Sequence, residues 1–151
     1  GDKPLSIRSD ELEAIESDGR RRLLFTSKVQ IEQGELLVNS DRLEAFYPPG
    51  GSQPDTLVAS GHVRVSQAKR RMLCDKATFF QTEDRLLCVG NAELQQGDDR
   101  VRGREIEIFI KQNRVKVRGG ATVNVTPSQG DGKSAPTAKA APAGKSGKAK
   151  P

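Results

Sequence analysis

The sequence predicts an all-β protein: a single antiparallel sheet of about sixteen short strands, folded over along its length and built from ~29-residue repeats. Three observations predict it. Ser27, Gly61, Gly90 and Gly119 each open a stretch of alternating apolar and polar residues (SKVQIEQG, GHVRVSQA, GNAELQQG, GGATVNV), and the three glycines are spaced 29 residues apart. Period-two alternation dominates the body of the chain, with no convincing helical period. Within each repeat the apolar parity slips by one residue, which would turn the dry face to water unless the chain bends or bulges there.

Taken in order, the chain starts halfway through a repeat, since LSIRSDELEA from Leu5 aligns with LLVNSDRLEA from Leu36. DELEAIES could form one helical turn, but its match to DRLEAFY assigns it to a strand. Leu23, Phe25, Val29 and Ile31 share one parity, with Lys28 and Gln30 between them, as in a sheet with one dry and one wet face. Leu36 and Val38 follow Gln33-Gly34, and pairing Ile31 with Leu36 and Val29 with Val38 predicts a two-residue hairpin.

The loop PPGGSQPDT lengthens the first interval to 34 residues and leads into Leu57, Ala59, Val63 and Val65. Met72 and Cys74 follow the equivalent Gln67-Ala68. Leu86, Cys88, Ala92 and Leu94 repeat the pattern, and QGDD predicts a longer turn in which Asp98 and Asp99 supply turn chemistry before Val101 and Gly103. Val115, Val117, Val123 and Val125 close the series.

The slips fall after Val38, Cys74 and Gly103, where Leu43, Ala77 and Ile106 resume the apolar series. On the neighbouring strands the small residues Ser27, Gly61, Gly90 and Gly119 stand at the matching place. Glycine accepts the close contacts and unusual dihedrals of a corner, so these four residues mark a crease at which each hairpin folds over. Two sheets then face one another, and the first and last strands remain as unpaired edges open to another chain.

The folded domain is expected over residues 1–126. From Pro127 the tail carries no large apolar side chain and should remain disordered, residues 127–151 reading as a Lys/Ala/Pro/Gly-rich tail. Its five lysines and Asp131 account for +4 of the net charge of +5, so the basic pI of 9.4 describes the tail more than the body. The tail reads first as a solvated linker, and only secondarily as a weak attraction to anionic lipid or nucleic acid. No run of 18 or more apolar residues is present to span a membrane as a helix. Beginning at Gly1 without a methionine, the chain reads as a processed or trimmed product whose targeting segment has been removed.

Enzymatic chemistry finds no constellation, so no catalytic residue, metal ligand or cofactor site is predicted. His62 is the only histidine and lies at a wet-face position without partners for a base or a metal. Asp98-Asp99 and Glu83-Asp84 read as turn residues. Placing Phe79 opposite Leu86 sets Ala77 opposite Cys88 and leaves Cys74 three residues further along, about 10 Å away. That separation predicts two buried free thiols, since a disulfide needs Cα atoms within about 7 Å and only the crease could close the gap.

The inward list of Val29, Ile31, Leu36, Val38, Leu43, Val63, Val65, Phe79, Leu94, Ile106 and Ile108 admits two fillings. These modest side chains either pack against each other or leave room for a guest apolar chain. Arg20-Arg21-Arg22 and Lys69-Arg70-Arg71 serve either as solvated strand ends or as a rim for lipid phosphates. Without interleaved aromatic residues, single-stranded nucleic acid is not an expected partner.

PLSIRSDELEA at the N-terminus, the recurring SD-x-LEA and the V-x-V-x-Q-G type segment ahead of each turn resemble the OstA-like family of lipopolysaccharide-transport proteins from Pro4 to about Val125. The resemblance implies a V-shaped β-jelly roll, or β-taco, whose apolar interior is a groove holding lipid A acyl chains. It also implies periplasmic location, self-association through terminal edge strands, and a bridge between an inner-membrane anchor and an outer-membrane translocon. Gly103-Arg104 departs from the pattern, standing where Ser40-Asp41 and Cys74-Asp75 stand earlier. Two other readings use the same residues: a domain cut from the anchor or translocon of that pathway, and a structural β-repeat protein that assembles through its edges without lipid.

Overall fold

The computed structural model describes residues 3–127, and the predicted tail from residue 128 onward lies outside them. Ten strands form one antiparallel sheet: β1 (Leu5–Arg8), β2 (Glu11–Ser17), β3 (Arg20–Gln33), β4 (Leu36–Phe46), β5 (Thr56–Gln67), β6 (Arg70–Phe80), β7 (Arg85–Gln96), β8 (Asp99–Phe109), β9 (Arg114–Arg118) and β10 (Thr122–Asn124). Their order is β1-β3-β4-β5-β6-β7-β8-β10, with β2 also on β3 and β9 also on β8. The expected number was about sixteen short strands. The six long strands continue through the crease instead of stopping at it, and counting their two halves apart restores the expected number.

The crease is a shared line of register shifts, between Thr26 and Val29 on β3, Asn39 and Arg42 on β4, Ser60 and Val63 on β5, Leu73 and Lys76 on β6, and Val89 and Ala92 on β7. Two residues at each shift leave the ladder, so the parity of inward residues changes there without exposing the dry face. On β3, β5 and β7 both of the extra residues take positive φ: Ser27 and Lys28, Gly61 and His62, Gly90 and Asn91. At Gly61 and Gly90 an added Cβ would stand 2.6 Å from the Asp41 and Asp75 carboxylates, closer than real Cβ contacts allow. Conformation and space both select glycine at these two positions.

The crease divides the sheet into two leaves. One leaf ends in tight turns and carries β1, β10 and the adjoining halves of the long strands; we call it the turn leaf. The other, the loop leaf, carries β2 and β9 and ends at residues 47–55, 81–84 and 110–113.

The tight turns correct the expected hairpin register. Ile31 pairs with Val38, Val29 with Ser40, and Gln33 with Leu36, so the turn is Gly34-Glu35. Ala68-Lys69 makes the equivalent turn between Gln67 and Arg70. Gly97-Asp98 does so between Gln96 and Asp99, where a longer turn was expected. In each case the glutamine stays in the ladder with its side chain on the inner face, at the lip of the leaf.

A trough filled by its own side chains

All eleven residues predicted to line the interior (Val29, Ile31, Leu36, Val38, Leu43, Val63, Val65, Phe79, Leu94, Ile106 and Ile108) are brought together in one core, and none is more than 5% exposed. Phe25, Leu57, Met72 and Leu86 join them, with the small residues Ala45, Ala59, Cys74, Ala77, Cys88 and Ala92 between. Of the two fillings the sequence left open, this structure displays the packed one. The leaves close on each other, and the crease residues Ser27, Gly61, Gly90 and Gly119 run along the closed side.

The opposite side is the mouth, and it is joined by a polar contact. Gln33, at the lip of the turn leaf, donates from Nε2 to Gln81 Oε1 at 3.2 Å, and Gln81 returns a bond from Nε2 to Gln33 Oε1 at 3.1 Å. Both side chains are buried, and Gln33 Nε2 also donates to the Lys3 carbonyl at 2.9 Å. Gln81 sits in the 3-10 turn Gln81–Glu83 at the tip of the loop leaf, its own N–H held by the Asp55 carbonyl.

This contact joins the end of β3 to the turn after β6. The leaves are therefore displaced along the trough by three strands, roughly 14 Å at the usual strand separation. Burial at the two ends follows that displacement. On the inner face Leu12 of β2 is 59% exposed and Val123 of β10 is 56% exposed, whereas Ile7 of β1 and Val115 and Val117 of β9 are half-buried against the core. Each end of the trough thus presents one uncovered apolar overhang, from the loop leaf at one end and the turn leaf at the other.

The recurring Ser-Asp pair has a structural role that the sequence marked without explaining. Ser9 Oγ donates to the Glu11 carbonyl at 2.7 Å, and Ser40 Oγ to that of Arg42 at 3.0 Å. Cys74 Sγ takes the same place, donating to the Lys76 carbonyl at 3.3 Å. The residue after each donor is an aspartate that reaches across the crease: Asp10 accepts from Ser27 Oγ at 3.1 Å, Asp41 meets His62 Nδ1 at 2.7 Å, and Asp75 accepts from Asn91 Nδ2 at 3.3 Å. At the departure from the pattern, Gly103-Arg104, the crossing is a backbone bond, Arg104 N–H donating to the Gly119 carbonyl at 3.3 Å, as Asp10 N–H also does to the Ser27 carbonyl at 2.9 Å.

Cys74 and Cys88 are free and buried. Phe79 does pair with Leu86 and Ala77 with Cys88, but the bulge between Leu73 and Lys76 removes the expected separation of the thiols. A hydrogen bond with the Cys74 side chain, reinforced by burial, pushes the Cys88 thiol far above its ordinary value.

The wet face is laced by ion pairs. Glu107 is only 4% exposed there because Arg85 and Arg118 cover it, at 2.6 and 2.7 Å. Burial pushes its carboxyl up, yet hydrogen bonds from Arg118 and Arg85 outweigh this and hold it below the usual range. Alternation alone placed Glu107 in solvent, and no sequence signal announced the two arginines that shield it. Among the described residues no group of three or more His, Cys, Asp or Glu side chains could hold a metal, and no helix is long and apolar enough to cross a membrane.

A single antiparallel sheet creased along its length, apolar inside and open at both ends, defines the class: a folded β-trough of the jelly-roll kind. The chain belongs to the LptA/(LptD N-terminal domain) LPS transport protein family, whose sequence model matches residues 6–114. The lipopolysaccharide export system protein LptA of Escherichia coli strain K12 is 25% identical over 151 residues, covering 85% of this chain and 74% of its own length. LptA of Shigella flexneri gives the same figures. The crystal structure of LptH, the LptA-homologous periplasmic component of the lipopolysaccharide transport device of Pseudomonas aeruginosa, has a TM-score of 0.72. At 14% identity it covers 83% of this chain and 96% of its own, a likeness of fold.

Proposed function

We propose that this protein carries lipopolysaccharide through the periplasm by holding lipid A acyl chains between its leaves. In this reading it docks end to end with like domains to link an inner-membrane anchor with an outer-membrane translocon. The observation that carries the reading is the continuity of the apolar inner face, from Leu12 at one end to Val123 at the other, in a sheet that never closes on itself. Burial of acyl chain there would contribute about 0.8 kcal/mol per methylene. The mouth must part for entry, since the core is filled when the leaves are closed.

The overhangs support the assembly half of the proposal. An exposed loop-leaf edge at one end and an exposed turn-leaf edge at the other suit head-to-tail strand addition between copies, and would cover Leu12 and Val123 together. Membership of the family and the likeness to LptH, a periplasmic component of such a device, support the location.

Photo-crosslinking tests the carrier. A photoreactive phenylalanine analogue at Phe79, on the inner face, is expected to label lipopolysaccharide, whereas one at Leu73, on the outer face, is not. Labelling from neither position, or equally from both, overturns the carrier reading. The filled interior favours one second reading, a structural repeat that assembles through its edges without lipid. Concentration-dependent filaments without any lipid crosslink would establish it.

A further inference from the structure

Among the described residues three arginines are half-buried: Arg22, Arg70 and Arg85. Two are held on the wet face by carboxylates, Arg22 by Glu44 at 2.6 Å and Arg85 by Glu107 at 2.6 Å and Glu83 at 2.8 Å. Arg70 differs in both respects. It precedes Met72 at the same parity, so it stands on the inner face, at the lip of the turn leaf between Gln67 and Gln96. Among the described residues it makes no ion pair, and its one side-chain bond there is from Nη2 to Gln67 Oε1 at 2.7 Å.

The nearest inward carboxylate along the lip is Asp99, which pairs with Gln96 and so lies two strand separations away, roughly 10 Å. Lys69 and Arg71 flank the site and add positive potential. A guanidinium taken partly out of water is ordinarily matched by an anion, because desolvation of an unmatched charge is unfavourable. Burial does depress the Arg70 proton affinity. Four of its five N–H donors have no acceptor among the described residues, in the planar fork suited to phosphate.

We infer that Arg70 is an anion subsite at the mouth of the trough, taking the phosphate group of an acidic lipid whose acyl chains lie inside. The assignment rests on the lipid reading proposed above. It adds selectivity to it: apolar burial accepts any acyl chain, whereas Arg70 would favour a phosphorylated headgroup held at the lip.

The test compares the folded full chain with two ligands of identical acyl chains, lipid A bearing its phosphates and enzymatically dephosphorylated lipid A. Unmodified protein is expected to bind the phosphorylated form about tenfold more tightly, the equivalent of one good charge-assisted bond. Arg70→Gln should abolish that preference while leaving affinity for the dephosphorylated form unchanged. Arg70→Lys should keep part of it, and Arg71→Gln, on the outer face, all of it. Inorganic phosphate separates the two sources of the anion. Competition against the phosphorylated lipid only, at millimolar concentration, supports a headgroup subsite. Arg70-dependent binding of phosphate alone, with no preference between the lipids, overturns it in favour of a free-anion site. Equal binding of both lipids, or a preference that survives Arg70→Gln, overturns the subsite and leaves the carrier standing. Binding of neither lipid overturns both.

Discussion

Gln33 and Gln81, 48 residues apart in sequence, exchange two side-chain amide hydrogen bonds across the mouth of the trough. Each belongs to a different leaf, so the pair closes the side opposite the crease. A buried amide that loses its partner costs about 1–3 kcal/mol, whereas replacing both partners by apolar groups can be nearly neutral. Gln33→Ala should therefore lower stability to urea by about 1–3 kcal/mol, and Gln33→Leu with Gln81→Leu should recover part of that loss, the Lys3 carbonyl still lacking its donor. Strictly additive effects of the two leucine substitutions would show that the amides do not work as a pair.

On the proposed function the same substitution has an opposite effect on binding. A lipid that enters only the open form has an apparent affinity reduced by the fraction of protein that is open. Weakening the Gln33–Gln81 contact raises that fraction. Gln33→Ala should thus bind lipid A severalfold more tightly while being less stable, measured on the same preparation by titration and by denaturation. Weaker binding in proportion to the lost stability would mean that the lips do not gate entry.

Cys74 and Cys88 look alike in sequence but occupy different sites. Cys74 stands where Ser9 and Ser40 stand in their repeats, bonding the carbonyl two residues ahead. Cys88 sits mid-strand, paired with Ala77, its backbone already in the ladder. Cys74→Ser should be tolerated within about 1 kcal/mol, because the hydroxyl inherits a carbonyl acceptor, whereas Cys88→Ser should cost about 1–3 kcal/mol, because a buried hydroxyl there meets only the weakly accepting Cys74 sulfur. Equal thermal shifts for the two variants would contradict this assignment. In the unmodified protein neither thiol should react with a thiol-specific reagent until denaturant is added, since one is buried beside the other and the Cys88 thiolate is strongly disfavoured.

These cases show where the sequence was legible. Alternation identified the inner face correctly on both sides of the crease, because a one-residue slip must be absorbed by a bulge if the dry face is to stay dry. The register of the tight turns was misread by two residues: Gln33 and Gln67 look like turn residues, yet each is an inward lip residue whose side chain is bonded within the protein. The Ser-Asp repeat was visible but mute, since its purpose is a carbonyl and a crease partner that adjoin only after folding. The pairing of Gln33 with Gln81 depends on how far one leaf is displaced over the other. Nothing in the local pattern encodes that displacement.

The crease itself can be tested at Gly90. An alanine there would take φ near +91° and place its Cβ 2.6 Å from Asp75 Oδ2. Positive φ in a residue with a side chain costs about 1–3 kcal/mol, and the collision adds to it. Gly90→Ala should therefore be among the more destabilising small substitutions. Adding Asp75→Ala should remove the carboxylate contact but leave the residue-75 Cβ at 2.9 Å and the backbone strain, recovering only part of the loss. Full recovery would mean that the Asp75 carboxylate alone selects glycine, and no recovery would mean that the dihedral and the remaining Cβ contact do.

Glu107 sets the expected dependence on pH. Its carboxyl is held below the ordinary range by Arg118 and Arg85, against the opposing effect of burial. A depressed carboxylate stabilises the fold fully above its unfolded value, about 4.3, and that contribution is lost as pH falls through the lower folded value. Glu93 shifts in the same direction, through bonds from Gln95 and Arg102, and adds to the trend. Glu107→Gln should cost about 1–3 kcal/mol at pH 7, because Arg85 and Arg118 lose the charge they share. Below about pH 4 the difference should shrink, since protonation takes the charge from the unmodified protein as well. Urea denaturation of both proteins at pH 7, 5 and 3 reads the difference directly, and a gap that stays constant over that range would rule out Glu107 as the titrating group.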